Sequence, residues 1–118
     1  MPTTSVDNIQ VIAIYVSSLD LACAFYAEHL GFCECGEYPP GKLLSSGQVT
    51  IYLEQQDNVS RGSCVIPVFG SQSIKGSYQA LKAAGVTIRK DLEEFGPEYA
   101  NFQIADPDGN VIEFAGKP

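Results

Sequence analysis

Six residues carry most of the chemistry that can be read from this chain: Tyr15, Tyr52, Glu54, Asn101, Gln103 and Glu113. Each falls at an alternate position of a short apolar run. Neighbouring side chains of a strand point to opposite faces. In "IQVIAIYV" one face therefore carries Ile12, Ile14 and Val16, and the other Val11, Ala13 and Tyr15. In "VTIYLE", Val49, Ile51 and Leu53 oppose Thr50, Tyr52 and Glu54; in "ANFQIA", Phe102 and Ile104 oppose Asn101 and Gln103; in "NVIEFA", Ile112 and Phe114 oppose Val111 and Glu113. The aliphatic sets belong to a core. If the other faces converge, they form a polar, aromatic and acidic cluster with the composition of a small-molecule site. The bland alternative is a solvated second face of an antiparallel sheet, which needs no function. A carboxylate buried in such a cluster requires a partner. A ligand cation, helped by tyrosine rings, would supply one. A general base for proton transfer would use the same residue types.

The elements that would position these residues can be read from local signals. "NIQVIAIYV" is a strand, and "SSLDLACAFYAEHLG" is a helix capped by Ser17 or Ser18. Leu19, Ala22, Cys23, Tyr26 and Leu30 line one face of that helix, and Gly31 ends it. "FCECGEY", "KLLSSG" and "VTIYLEQ" come next as strands, with a turn at "PPG". The order then repeats. "CVIPVFG" is a strand, apolar on both faces, with Pro67 requiring an edge or a bulge. "SQSIKGSYQALKAAG" is a helix with Ile74, Tyr78 and Leu81 on one face, ended by Gly85. "VTIRK", "YANFQIA" and "NVIEFAG" complete the set. The expected fold is α+β: one domain over residues 1–118 built of two βαβββ modules, about 9–55 and about 63–116. Each half is too small for a core of its own, so the two should pack as one unit with helices on one face of curved sheet.

Composition narrows the partners. The 118 residues carry a net charge of −7, which argues against nucleic acid and against an anionic membrane. The longest apolar run near the start, "VIAIYV", is too short for a signal-peptide core or a membrane span. A cytoplasmic location is expected. Cys23, Cys33, Cys35 and Cys64 form no C-x-x-C pair and read as reduced structural thiols. The "NVS" at 58–60 is a chance sequon. The only histidine, His29, sits near the end of the first helix, where it suits the helix C-terminus better than a metal. In "DPDG", Pro107 and Gly109 specify a turn, and Asp106 and Asp108 read as turn-formers.

With these elements in order, the chain resembles the vicinal oxygen chelate superfamily, which includes glyoxalase I, bleomycin-resistance proteins and extradiol dioxygenases. The resemblance is carried by "VSSLDLACAFYAEHLGF" at 16–32, "ALKAAGV" at 80–86 and "IADPDGNVIEF" at 104–114. It implies two βαβββ modules whose curved, mixed sheets form a cup, and a homodimer in which the partner chain often completes each cup. Metal-dependent members bind a divalent ion through His, Gln or Glu on four strands. The matching positions here are Val11; Tyr52, or Glu54 with a shifted register; Cys64 or Ile66; and Glu113. Only Glu113 is clearly retained.

The resemblance therefore implies a small-molecule-binding protein of the bleomycin-resistance type, without a cofactor. It would sequester a cationic or aromatic ligand, such as an antibiotic or toxin, in an acidic cup. The alternative is a lyase, isomerase or dioxygenase that uses Glu113 and Glu54 around a weakly held divalent metal. A metal-free enzyme with either glutamate as general base is a third reading.

Overall fold

The structure is a computed structural model that describes residue 4 and residues 8–59 and 65–118. Cys64, Ser60 of the sequon, and parts of the expected fifth strand and of the loop before it lie outside the described residues. The element order is β1 (Ile12–Val16), α1 (Leu19–Leu30), β2 (Cys33–Tyr38), β3 (Gly41–Ser45), β4 (Thr50–Gln55), β5 (Val68–Phe69), α2 (Ile74–Ala83), β6 (Thr87–Glu94), β7 (Ala100–Ala105) and β8 (Val111–Gly116). These are two βαβββ modules. The first sheet has the order β1-β4-β3-β2 and the second β5-β8-β7-β6. In each, the first strand runs parallel to the last, and the remaining pairs are antiparallel. Each helix packs on its own sheet.

Local chemistry explains the helix boundaries. The Ser18 side chain accepts from the Leu21 backbone N–H and caps α1, and Ser73 does the same for α2 through Gly76. Gly31 ends α1 in the left-handed region, at φ 75°, where a side chain is disfavoured. Ala22, Cys23 and Tyr26 form the buried stripe of α1. Ser17, offered above as an alternative cap, is used elsewhere. Its backbone N–H and its hydroxyl both donate to the Asp108 carboxylate.

One core spans both modules. Val16, Leu44, Ile51 and Leu53 fill it from the first sheet, and Phe102, Ile104, Ile112 and Phe114 from the second. A chain of ring contacts runs across it from Tyr26 to Phe32 (6.1 Å), Phe69 (6.0 Å), Phe114 (6.0 Å), Phe102 (5.2 Å) and Tyr78 (5.3 Å). Aromatic pairs at such separations add to the stability gained by burial alone. The Phe32–Phe69 step is the one that crosses from module one to module two.

Two elements depart from the sequence expectation. The fifth strand is only Val68–Phe69, at the edge of its sheet. Pro67 precedes it and contributes its carbonyl to the Glu113 N–H at 2.9 Å, an edge arrangement that a proline tolerates. β6 is longer than "VTIRK" and is irregular. Its register with β7 shifts between Ile88 and Lys90, and again between Lys90 and Glu93. Among the described residues no helix is long and apolar enough to cross a membrane.

Candidate functional site

A cavity of about 800 Å³ opens between the modules. Its walls come from β1 (Ile12, Ala13, Ile14, Tyr15), the approach to β5 (Val65, Ile66, Pro67), β7 (Gln103) and the start of β8 (Val111, Ile112). Val59, Gly109, Asn110, Tyr26 and Arg89 complete the lining. The volume lies within the range typical of small-molecule sites, about 300–1,000 Å³, and the lining is mostly apolar with a few polar groups, as such sites are.

The turn between β7 and β8 holds this region together. Asp106, 5% exposed, accepts from the backbone N–H groups of Asp108 (2.9 Å) and Asn110 (2.8 Å). It also accepts from the Asn110 side-chain amide (2.9 Å) and from the Tyr26 hydroxyl on α1 (2.9 Å). The same Asn110 amide donates to the Tyr15 carbonyl at 3.0 Å. Asp106 and Asp108 are thus turn residues, as their spacing suggests, and they also tie module two to module one. Burial, and then the charge of Asp106, push the Tyr26 phenol well above its usual range. Tyr26 therefore stays protonated and donating.

The six sequence-derived site residues do not all meet at the cavity. Tyr15 and Gln103 line it. Glu113 is one bond behind, accepting from Gln103 Nε2 at 2.9 Å. Glu54 faces Tyr15 across the β1–β4 pair and accepts from the Gln56 amide. Tyr52 points instead to the β2–β3 hairpin, where its hydroxyl donates to the Tyr38 carbonyl at 2.7 Å. Asn101 is 9% exposed and accepts from Lys90 Nζ at 2.7 Å. Alternation had placed it on an open face. The lysine lies over it because the bulged β6 sets Lys90 against Gln103, its neighbour on that face. Tyr52, Glu54, Asn101 and Glu113 are not among the residues that line the cavity.

The acidic cup expected from Glu54 and Glu113 is therefore not how the cavity is lined. Each carboxylate already accepts from a glutamine amide. The one charged side chain among the described lining residues is Arg89, which the alternation of strand faces does not single out. Asn110 and Tyr26 were also missed as lining residues. The available signal was "RK" at 89–90, two adjacent cations in an acidic chain.

The positions that would carry a metal offer few donors. Val11 and Ile66 are aliphatic, 38% and 37% exposed. No group of three or more His, Cys, Asp or Glu gathers among the described residues. A tight zinc or iron site needs three or four N, O or S ligands, and the described residues do not gather such a set. His29 packs its ring against Phe25 at 5.2 Å, on α1. Cys23 is buried, whereas Cys33 and Cys35 are exposed free thiols on β2. Burial, and then the charge of Glu34, raise the Cys23 thiol above its usual pKa, which makes it less reactive.

Two open-sided βαβββ modules, tied by a buried turn and flanking a largely apolar cavity, define a class of α+β proteins. The chain matches the Glyoxalase/Bleomycin resistance protein/Dioxygenase superfamily over residues 8–114, and it belongs to that family. It is 31% identical to the Salmonella typhimurium virulence protein STM3117, over 93% of this chain and 84% of that protein. The crystal structure of STM3117 superposes with a TM-score of 0.76, covering 95% of this chain and 98% of the other at 26% identity. A glyoxalase family protein from Bacillus anthracis reaches a TM-score of 0.81 at 22% identity, over 99% of this chain and all (100%) of the other. The fosfomycin resistance protein FosX from Listeria monocytogenes reaches 0.79 at 18% identity, over 94% and 93%.

Proposed function

We propose that this protein binds and sequesters a small molecule with an aromatic or similarly apolar body, without using a metal. The observation that carries this reading is the cavity of about 800 Å³ with its largely aliphatic lining. Val11, and Ile66 as one of the two candidates for the fifth-strand position with Cys64, supply hydrocarbon where a metal-using relative would need donors. The cationic half of the sequence expectation has less support, because Glu54 and Glu113 stand outside the lining and are already hydrogen-bonded. One structural relative is a fosfomycin resistance protein. Capture of a toxic compound is in keeping with that, although an 18% identity extends the likeness to the fold alone.

A homodimer is part of the same proposal. Ile9, Val11, Val65, Ile66 and Val68 are exposed beside the outer strands β1 and β5. A second copy of the chain would cover this apolar surface and add a wall to the cavity, of which Val65 and Ile66 are already part. A cytoplasmic location, where thiols such as Cys33 and Cys35 stay reduced, completes the reading.

The test is a thermal-shift and calorimetric screen against cationic, neutral and anionic bicyclic aromatics. A ligand at a hundred times its Kd stabilises the fold by about 2.7 kcal/mol, roughly 11 °C for a chain of this size. The variant Ala13→Trp, at an exposed lining position, should abolish that shift. No stabilisation by any compound, or equal stabilisation of Ala13→Trp, rejects the proposal. Elemental analysis of protein prepared without chelator tests the metal-free part. Stoichiometric bound metal would favour the alternative of a metal-assisted lyase, isomerase or dioxygenase using Glu113 and Glu54.

A further inference from the structure

We infer that the ligand of this cavity carries an anionic oxygen group, a carboxylate or a sulfonate, and that Arg89 is the residue that selects it. The inference rests on the cavity being a ligand site and adds the charge of what enters it.

Three observations support it. The first is the backbone. On β6, Ile88 faces Ile104 of β7 and Lys90 faces Gln103, so Arg89 is the extra residue of a β-bulge with no partner on β7. Bulges redirect side chains and are common beside functional sites. Arg89 is also part of the cavity lining.

The second is the partner census. Lys42 pairs with Glu34 at 3.4 Å, Lys75 with Glu94 at 3.4 Å, Lys90 with Glu93 at 3.2 Å and Lys117 with Glu98 at 3.4 Å. Lys82 lies on Tyr78, donating to its hydroxyl at 3.3 Å. Among the described residues Arg89 is the one cation with no hydrogen bond, ion pair or ring contact. The chain has 14 acidic residues against 7 basic ones, and among the described residues none of those carboxylates pairs with Arg89.

The third is chemistry. A guanidinium stays charged and presents a planar fork of donors that fits a carboxylate or sulfonate. No carboxylate lies among the described lining residues to compete for it. Tyr15, also in the lining, has a phenol without a hydrogen-bond partner among the described residues and is a second potential donor to a ligand in the cavity.

The test uses two dyes with one skeleton, 1-anilinonaphthalene-8-sulfonate and N-phenyl-1-naphthylamine, which lacks the sulfonate. Both brighten in apolar sites, and both are titrated against the full-length protein and its Arg89→Gln and Arg89→Lys variants. Arg89 is exposed, so the variants should melt within a few degrees of the parent. The expected result is about a tenfold loss of affinity for the sulfonate in Arg89→Gln, partial recovery in Arg89→Lys, and less than a twofold change for the neutral dye. If Arg89→Gln binds the sulfonate within twofold of the parent, or loses both dyes equally, the role of Arg89 is overturned while the cavity remains a binding site. If the parent binds neither dye, the cavity reading falls, and this inference falls with it.

Discussion

The hydrogen bond from Tyr26 to Asp106 joins α1 to a turn 80 residues away, and its removal has a calculable cost. Tyr26 is fully buried and Asp106 is 5% exposed. The variant Tyr26→Phe deletes one donor to a carboxylate, an interaction worth about 1.5–3 kcal/mol. Asp106 keeps three other donors, from Asp108 and Asn110, so the cost should fall near the lower end, about 1.5 kcal/mol. The entropy of unfolding for 118 residues is about 0.25 kcal/mol per degree. The midpoint should therefore drop by about 6 °C. Asp106→Ala is harsher, because it strands the Tyr26 hydroxyl and three N–H groups of the turn together. A loss of about 3–5 kcal/mol, or roughly 12–20 °C, is expected. In Tyr26→Phe/Asp106→Ala the tyrosine hydroxyl cannot be lost twice. The double variant should be more stable than the sum of the singles by about 1.5 kcal/mol. Urea unfolding of the four proteins, monitored by far-UV circular dichroism, measures the cycle. Additivity within about 0.3 kcal/mol would refute the idea that this bond couples the modules, and would leave Asp106 as a local turn-former only.

Two further outcomes rest on the same structure. The Tyr26 phenol is held above its ordinary value of 10.0 by burial and by the Asp106 charge, so the folded state keeps this proton more tightly than the unfolded chain does. Its contribution to stability is complete below pH 10 and is lost as pH rises further, by at most about 1.4 kcal/mol per pH unit. Urea midpoints measured from pH 9 to 11 should fall more steeply for the parent than for Tyr26→Phe, and parallel curves would contradict this. Gly41 is buried on β3, and a Cβ there would land on the Leu53 carbonyl oxygen and 2.6 Å from the Tyr52 ring. Gly41→Ala should cost about 1–3 kcal/mol, yet leave dye affinity unchanged because Tyr52 does not line the cavity; a melting point equal to the parent's would show that the strands yield freely.

The parts of the fold legible in the sequence are those set by local chemistry. Serine caps, terminal glycines and the stripe of Ala22, Cys23 and Tyr26 fix α1 within a few residues of its ends. Period-two alternation sorts Ile51 and Leu53 from Tyr52 and Glu54, and Ile112 and Phe114 from Glu113, onto the faces where they are found. The less legible parts depend on distant partners. Nothing near Asp106 in sequence announces Tyr26, whose hydroxyl makes the turn aspartate a buried acceptor. The fifth strand could not be bounded from "CVIPVFG", because its two-residue length depends on how Pro67 meets β8 rather than on its own apolar run.

The charge of the site shows the same limit most sharply. Alternation assigns a residue to a face, and a face is only half of a location. Glu54 and Glu113 lie on the faces expected of them, but on separate sheets, and neither reaches the lining. A single inserted residue in β6 reverses the parity of the residues after it. "VTIRK" read as an unbroken strand puts Arg89 on the face of Gln103 and Lys90 on the core face. The bulge after Ile88 sets Lys90 against Gln103 and over Asn101, with Arg89 as the extra residue beside it in the cavity lining. An acidic chain can in this way present a cationic group to its ligand. The net charge of −7 is a property of the whole chain, whereas the one charged side chain among the described lining residues is the guanidinium of Arg89.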